Sequence, residues 1–101
     1  MILLPRVKLA AMSPQIALAL YVADKVRDEF DSREITVTSV CDGAHSHTSL
    51  HYIGHAADIR TRDIDTEMQR DFTDTLIEKL GAEFDVVLES DHIHIEYQPK
   101  L

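Results

Sequence analysis

Apolar residues recur along this chain with two different periods. Between Pro14 and about Phe30, the residues Ile16, Leu18, Leu20, Ala23, Val26 and Phe30 fall at mostly helical spacing. Ser13-Pro14 ahead of them reads as an N-cap followed by proline at the first helical position, where its missing N–H removes no helical hydrogen bond. Further on, Ile64, Met68, Phe72, Leu76 and Leu80 repeat every four residues, which predicts a second helix running to about Leu80. Asp63 or Asp65 can cap its start, Gly81 sits where a left-handed C-terminal cap is wanted, and its polar face is expected to be solvated.

The other period is two. Residues 35–39 alternate apolar and polar with β-branched enrichment and predict a half-buried strand, followed by a polar loop over 41–50 that holds Gly43. A second strand is expected over 56–60, with Ala57 and Ile59 on one face and Ala56, Asp58 and Arg60 on the other. Residues 84–88 and 92–97 read as two strands joined tightly around Ser90-Asp91, a hairpin, and the last four residues as a tail. Helix, strand, loop, strand, helix and hairpin make an α+β domain, helices packed on one face of a mostly antiparallel sheet and the other face free for a site.

With 101 residues the chain fits one domain, 1–101, with a single core. Its 45% hydrophobic and 28% charged residues are ordinary for a soluble globular protein. The net charge of −8 removes the cationic field that nucleic acids and anionic membranes require, so neither is an expected partner. Cys41 is the one cysteine, which excludes an intrachain disulfide and suits packing better than metal ligation. The apolar run after Met1 has three residues, too short for a secretory signal or a membrane span.

Against this background the histidines stand out. All six lie in two windows: His45, His47, His51 and His55, then His92 and His94. On the last strand His92, His94 and Glu96 share the face opposite Ile93 and Ile95. Asp58 lies opposite Ala57 and Ile59, and His51 precedes it by seven residues across a turn containing Gly54. His51 and Asp58 from one turn-strand unit and one histidine from the distant hairpin would then give three nitrogen and oxygen ligands with one open position, the arrangement of catalytic zinc. His47 and His55 are expected to be solvated, as is Glu96 at the strand edge.

These windows also carry a family resemblance. Ser49-Leu-His-Tyr-Ile-Gly-His-Ala-Ala-Asp-Ile resembles the Ser-x-His-x-x-Gly-x-Ala-x-Asp-Ile motif of M15 peptidases, which include D-alanyl-D-alanine carboxypeptidases and L-alanyl-D-glutamate endopeptidases. Glu89-Ser-Asp-His-Ile-His-Ile-Glu resembles their C-terminal His-x-His hairpin, and Asp42-Gly-Ala-His-Ser-His-Thr-Ser-Leu-His-Tyr is similar to the matching loop of hedgehog amino-terminal domains. The resemblance covers roughly residues 35–97. It implies a hedgehog/DD-peptidase-like fold, Zn2+ on His51, Asp58 and His94, and Asp91 as general base, three positions before the last ligand. Glu89 is the alternative base, and His92 and His45 are candidate donors to the oxyanion formed as water adds to an amide carbonyl. Ser49 is expected to brace the loop, and calcium is not expected, because the hedgehog acidic cluster is represented here by Asp42 alone.

The implied activity is zinc-dependent hydrolysis of peptidoglycan stem peptides or cross-links, in a compact protein of bacteriophage or prophage origin. Such a protein acts as an endolysin held in the host cytoplasm until lysis, or rides in the virion among other virion proteins. Many carboxypeptidase members carry an arginine just after the first strand; Val40-Cys41 stands here, which favours an endopeptidase unless Arg60 or Arg62 substitutes. The competing expectation is a catalytically inactive, zinc-stabilised structural or interaction module. Oligomeric state and scissile bond are not legible.

Overall fold

The computed structural model describes residues 1–8, 12–41 and 55–99. Seven elements follow one another: β1 (Ile2–Leu3), α1 (Pro14–Asp31), β2 (Thr36–Cys41), β3 (Ala56–Arg60), α2 (Thr66–Leu80), β4 (Phe84–Leu88) and β5 (His92–Tyr97). The strands form one mixed sheet in the order β1-β2-β3-β5-β4, with β1 parallel to β2 and every other pairing antiparallel. The fold is therefore α+β, as the two periods require. β1 was not expected: the short apolar run at the start pairs with β2 instead of trailing in solvent.

Local chemistry sets the helix ends. The Ser13 hydroxyl accepts from the Ile16 backbone N–H at 3.2 Å, so α1 begins at Pro14. Ser32 closes it in the left-handed conformation at φ 59°. Asp65, not Asp63, caps α2, its Oδ1 accepting from Glu67 N at 3.2 Å. Gly81 has the positive φ of 84° expected of it, but its ψ of −174° sends the chain extended into β4, so the cap is not a left-handed helical one.

One core fills the space between the helices and one face of the sheet. Ile16, Ala19, Leu20, Ala23 and Val26 of α1 and Phe72 and Leu76 of α2 meet Val37, Ala57, Ile59, Val86, Ile93 and Ile95 of the strands. Leu18 does not join them; it is 60% exposed, because the buried stripe of α1 passes through Ile16, Ala19 and Ala23 and leaves position 18 on the outer side. Phe30 reaches the edge of the core, its ring meeting Phe72 edge-on at 5.8 Å. Residue 98 is not a free tail: the Gln98 N–H donates to Glu83 O at 2.6 Å.

A buried arginine ties the layers together. Arg27 of α1 is fully buried, with Nε 2.9 Å from Asp31 Oδ1 and an Nη 2.8 Å from the Asp63 carbonyl in the connection between β3 and α2. That connection is what orients the end of β3. Removing the guanidinium strands both acceptors, so Arg27→Leu should lower the unfolding free energy by about 2–4 kcal/mol in urea denaturation, with Arg27→Lys recovering part of it; a loss below about 0.5 kcal/mol would contradict this role.

Candidate functional site

The open face of the sheet is built from alternate positions of the strands whose other face is core. Because Ile93 and Ile95 are fully buried, His92, His94 and Glu96 must point the other way. The same holds for Asp58 and Arg60, which alternate with the buried Ala57 and Ile59. The β3–β5 register sets Asp58 directly opposite His94 and Arg60 opposite His92. β5 lies between β3 and β4, so the histidine strand is hydrogen-bonded on both sides and cannot fray.

Strand β2 contributes through an irregularity that the sequence pattern hides. Regular alternation puts Ser39 on the same face as Ile35 and Val37, toward the core. The register instead shifts between Val37, opposite Ile59, and Ser39, opposite Asp58, so Thr38 is an extra residue and parity inverts. The Ser39 hydroxyl thereby reaches Asp58 Oδ2 at 2.9 Å, and the freed Thr38 carbonyl accepts from Arg6 Nε at 3.4 Å. Cys41, expected in the loop, is the last residue of β2, paired with Ala56.

Asp58 Oδ1 lies 2.7 Å from His94 Nδ1, and His94 Nε2 lies 3.2 Å from Glu96 Oε1. Carboxylates accept, so both ring nitrogens of His94 must donate, which only the imidazolium can do. Its pKa accordingly rises from 6.5 to about 9, driven first by the Asp58 hydrogen bond, opposed by burial, and assisted by Glu96. Burial alone would raise Asp58, but the His94 and Ser39 hydrogen bonds outweigh it and hold the carboxyl below its usual range. Glu96 behaves likewise: burial is overcome by hydrogen bonds from Gln98 and His94. Glu96 is thus not the solvated edge carboxylate expected from sequence.

At the hairpin, Glu89 N donates to His92 O at 2.8 Å, closing a tight turn over Ser90 and Asp91. The turn breaks the alternation that would aim Asp91 away from the site. Its Oδ1 instead accepts from His92 Nδ1 at 2.6 Å, while His92 Nε2 stands 3.8 Å from Asp58 Oδ1. Asp91, His92 and Asp58 line one cavity of about 280 Å³ with Arg6, Thr38, Arg60 and Arg62. Glu89 is exposed and is not part of that lining. His55 is half-buried rather than solvated, its ring 5.3 Å from that of Tyr97.

Of the three expected metal ligands, Asp58 and His94 are brought together, whereas His51 lies outside the described residues, as do His45, His47 and Ser49. Among the described residues no three His, Cys, Asp or Glu side chains are arranged to hold a metal ion. The pair that is described does fit zinc. Two atoms each about 2.0 Å from one tetrahedral ion lie about 3.3 Å apart. Asp58 Oδ1 and His94 Nδ1 need open only slightly to reach that separation. The second nitrogen of His94 already faces a carboxylate, Glu96, which is how ligating histidines are usually oriented.

Ser39 and Glu96 are the contacts that sequence reasoning missed. Glu96 had a signal, its i, i+2 spacing from His94; Ser39 had none without knowledge of the bulge.

Comparison with protein families, with curated proteins and with solved structures finds no match to this chain.

In the metal-free protein the His94 imidazole should titrate near pH 9 by NMR, and Asp58→Asn should bring the midpoint down by roughly a unit or more. Because the folded value is raised above 6.5, the stabilisation it confers is complete below about pH 6.5 and is lost as pH rises through about 9. A midpoint near 6.5 in the parent protein would contradict the geometry.

Proposed function

We propose that this chain is a zinc-dependent peptidase of M15 type, with a hedgehog/DD-peptidase-like fold, that hydrolyses amide bonds in peptidoglycan stem peptides or cross-links. The observation that carries the reading is the Asp58–His94 pair on the open sheet face, oriented by Ser39 and Glu96 and flanked by a second acid–histidine pair, Asp91–His92. A purely structural metal site has no use for that second pair at its edge.

Asp58 and His94 are the described residues that would hold zinc, with His51 as the third ligand implied by the motif. Zinc, when bound, supplies Lewis acidity that makes water nucleophilic near neutral pH. Asp91 takes a proton from the attacking water at its carboxylate and passes it to the leaving amine. Through its other contact Asp91 fixes the His92 ring, and His92, which lines the same cavity, donates to the carbonyl oxygen as negative charge develops on it. Ser39 and Glu96 position the ligands and touch neither substrate nor nucleophile. Glu89 serves less well as base, being outside the cavity lining.

No helix among the described residues is long and apolar enough to cross a membrane. A phage-encoded endolysin and a virion-borne enzyme opening the wall are both compatible with the chemistry, and the fragments released from peptidoglycan would be the same.

The test is direct. Purified protein loaded with one zinc per chain should release peptide fragments from isolated peptidoglycan, identified by mass spectrometry, and His94→Ala should abolish both zinc retention and release. Asp91→Asn should cut the rate by 10²-fold or more with zinc retained, whereas Glu89→Gln should stay within about threefold. Stoichiometric zinc with no fragments from several wall types would replace this reading with the inactive module.

Loading should also be pH-dependent. His94 must lose its proton to bind, so apparent zinc affinity should climb roughly tenfold per pH unit between about 6 and 9, as measured by competition with a chromophoric chelator. A flat profile over that range would show that His94 is not a ligand.

A further inference from the structure

The sheet ends in two edge strands that differ in kind. β1, at one end, is two residues long. β4, at the other, runs for five residues, Phe-Asp-Val-Val-Leu, with no proline, lysine or bulge and an unbroken register to β5. Glu89 N donates to His92 O and Gln98 N to Glu83 O, so the hydrogen-bonded pairs of this ladder fall at residues 83, 85, 87 and 89. The N–H and C=O groups of Val86 and Leu88 and the C=O of Phe84 therefore point away from β5, and among the described residues nothing bonds to them.

Apolar surface flanks this row of backbone groups on both sides. Val87, 45% exposed, stands on the open face beside it. On the opposite face α2 packs over β4. Lys79 and Met68 mark the side of α2 that faces α1, since they share cavities with Val22 and Phe30 respectively. Ile77 lies on the other side of the helix, 43% exposed, and so overhangs the free edge. A strand laid beside β4 would seat its helix-side residues against Ile77 and its remaining residues beside Val87.

Charge selects the occupant. On the open-face side the row carries Glu83, Asp85, Val87 and Glu89, all exposed. A second copy pairing antiparallel through this edge must match outward-facing residues with outward-facing residues. Every such register that joins two or more of Phe84, Val86 and Leu88 sets Asp85 opposite Asp85, Asp85 opposite Glu89, or Glu83 opposite Glu89. Like charges directly across a strand pair are destabilising, so the edge rejects its own copy and accepts a strand of opposite charge.

We infer that the free edge of β4 is a docking site for an extended segment of another protein, added to the sheet antiparallel to β4, with basic side chains at the alternate positions facing Asp85 and Glu89 and apolar ones toward Ile77. Phe84, Val86 and Leu88 supply the main-chain hydrogen bonds, while the acids and Ile77 supply selectivity. The inference is independent of the peptidase reading, because the edge shares no residue with the Asp58–His94 pair or the Asp91–His92 pair.

The test titrates the full chain with the capped peptide acetyl-Lys-Val-Thr-Val-Lys-Val-Lys-amide, following the backbone amides by NMR and hydrogen exchange. The Val86 and Leu88 N–H signals should shift saturably and exchange at least about tenfold more slowly, while those of Ala57 and Ile59 in the inner strand β3 stay unchanged. The peptide with glutamate in place of each lysine should bind at least about tenfold more weakly. N-methylation of the three valines, whose N–H groups would bond to β4, should abolish binding; N-methylation of the threonine and the central lysine, whose N–H groups would face away, should change the Kd by no more than about twofold. Asp85→Lys should reverse the preference in favour of the glutamate peptide, and Ile77→Ser should raise the Kd of the lysine peptide by about threefold or more. Equal affinity for the two peptides, equal loss from either pattern of N-methylation, or no saturable shift at Val86 and Leu88 up to about 1 mM peptide overturns the inference. Dimerisation of the peptide-free chain in sedimentation equilibrium, with the same two amides protected, overturns it as well by giving the edge to a second copy.

Discussion

The register between β3 and β5 is the constraint on which the site depends. It sets Asp58 against His94 and Arg60 against His92, and it is enforced from the opposite face of the sheet. Ile59, Ile93 and Ile95 are fully buried there, each contributing about 1.5–3 kcal/mol by leaving water. A slip of β5 by one residue would turn Ile93 and Ile95 outward and send His94 into the core, a cost far above the worth of any single polar contact. Hydrophobic burial on one side thus fixes polar chemistry on the other, and the two strands concerned are inner strands of the sheet.

The polar face then adds its own refinement. A single extra residue in β2 inverts parity at Ser39 and supplies a hydroxyl to Asp58; without it that position would face the helices. Glu96 secures the far nitrogen of His94, and Gln98 in turn secures Glu96. This chain of contacts holds an imidazolium between two carboxylates and fixes their relative positions, as the proposed zinc site would require. Preorganisation of this kind lowers the cost of assembling a site.

Much of this was legible in the sequence. Helix α2 and strands β3, β4 and β5 follow directly from the spacing of Phe72 and Leu76 and from the alternation around Ile59 and Ile93, because each buries one clean face. The placement of Asp58 and His94 on the open face followed from the same parity. Where expectation failed, the deciding interaction was not local. β1 exists because β2 offers it a partner edge, and its two residues carry no pattern. Leu18 fits a helical period yet faces water, since the period alone does not say which stripe the sheet will cover. Ser39 was hidden by the bulge, which inverts parity within β2.

The most direct test of the account is anomalous X-ray diffraction at the zinc edge from crystals of the full chain grown with one equivalent of zinc. The account predicts a single strong peak bonded to Asp58 and to Nδ1 of His94, with Glu96 on the other ring nitrogen. A peak elsewhere, with the Asp58–His94 hydrogen bond intact, would contradict it.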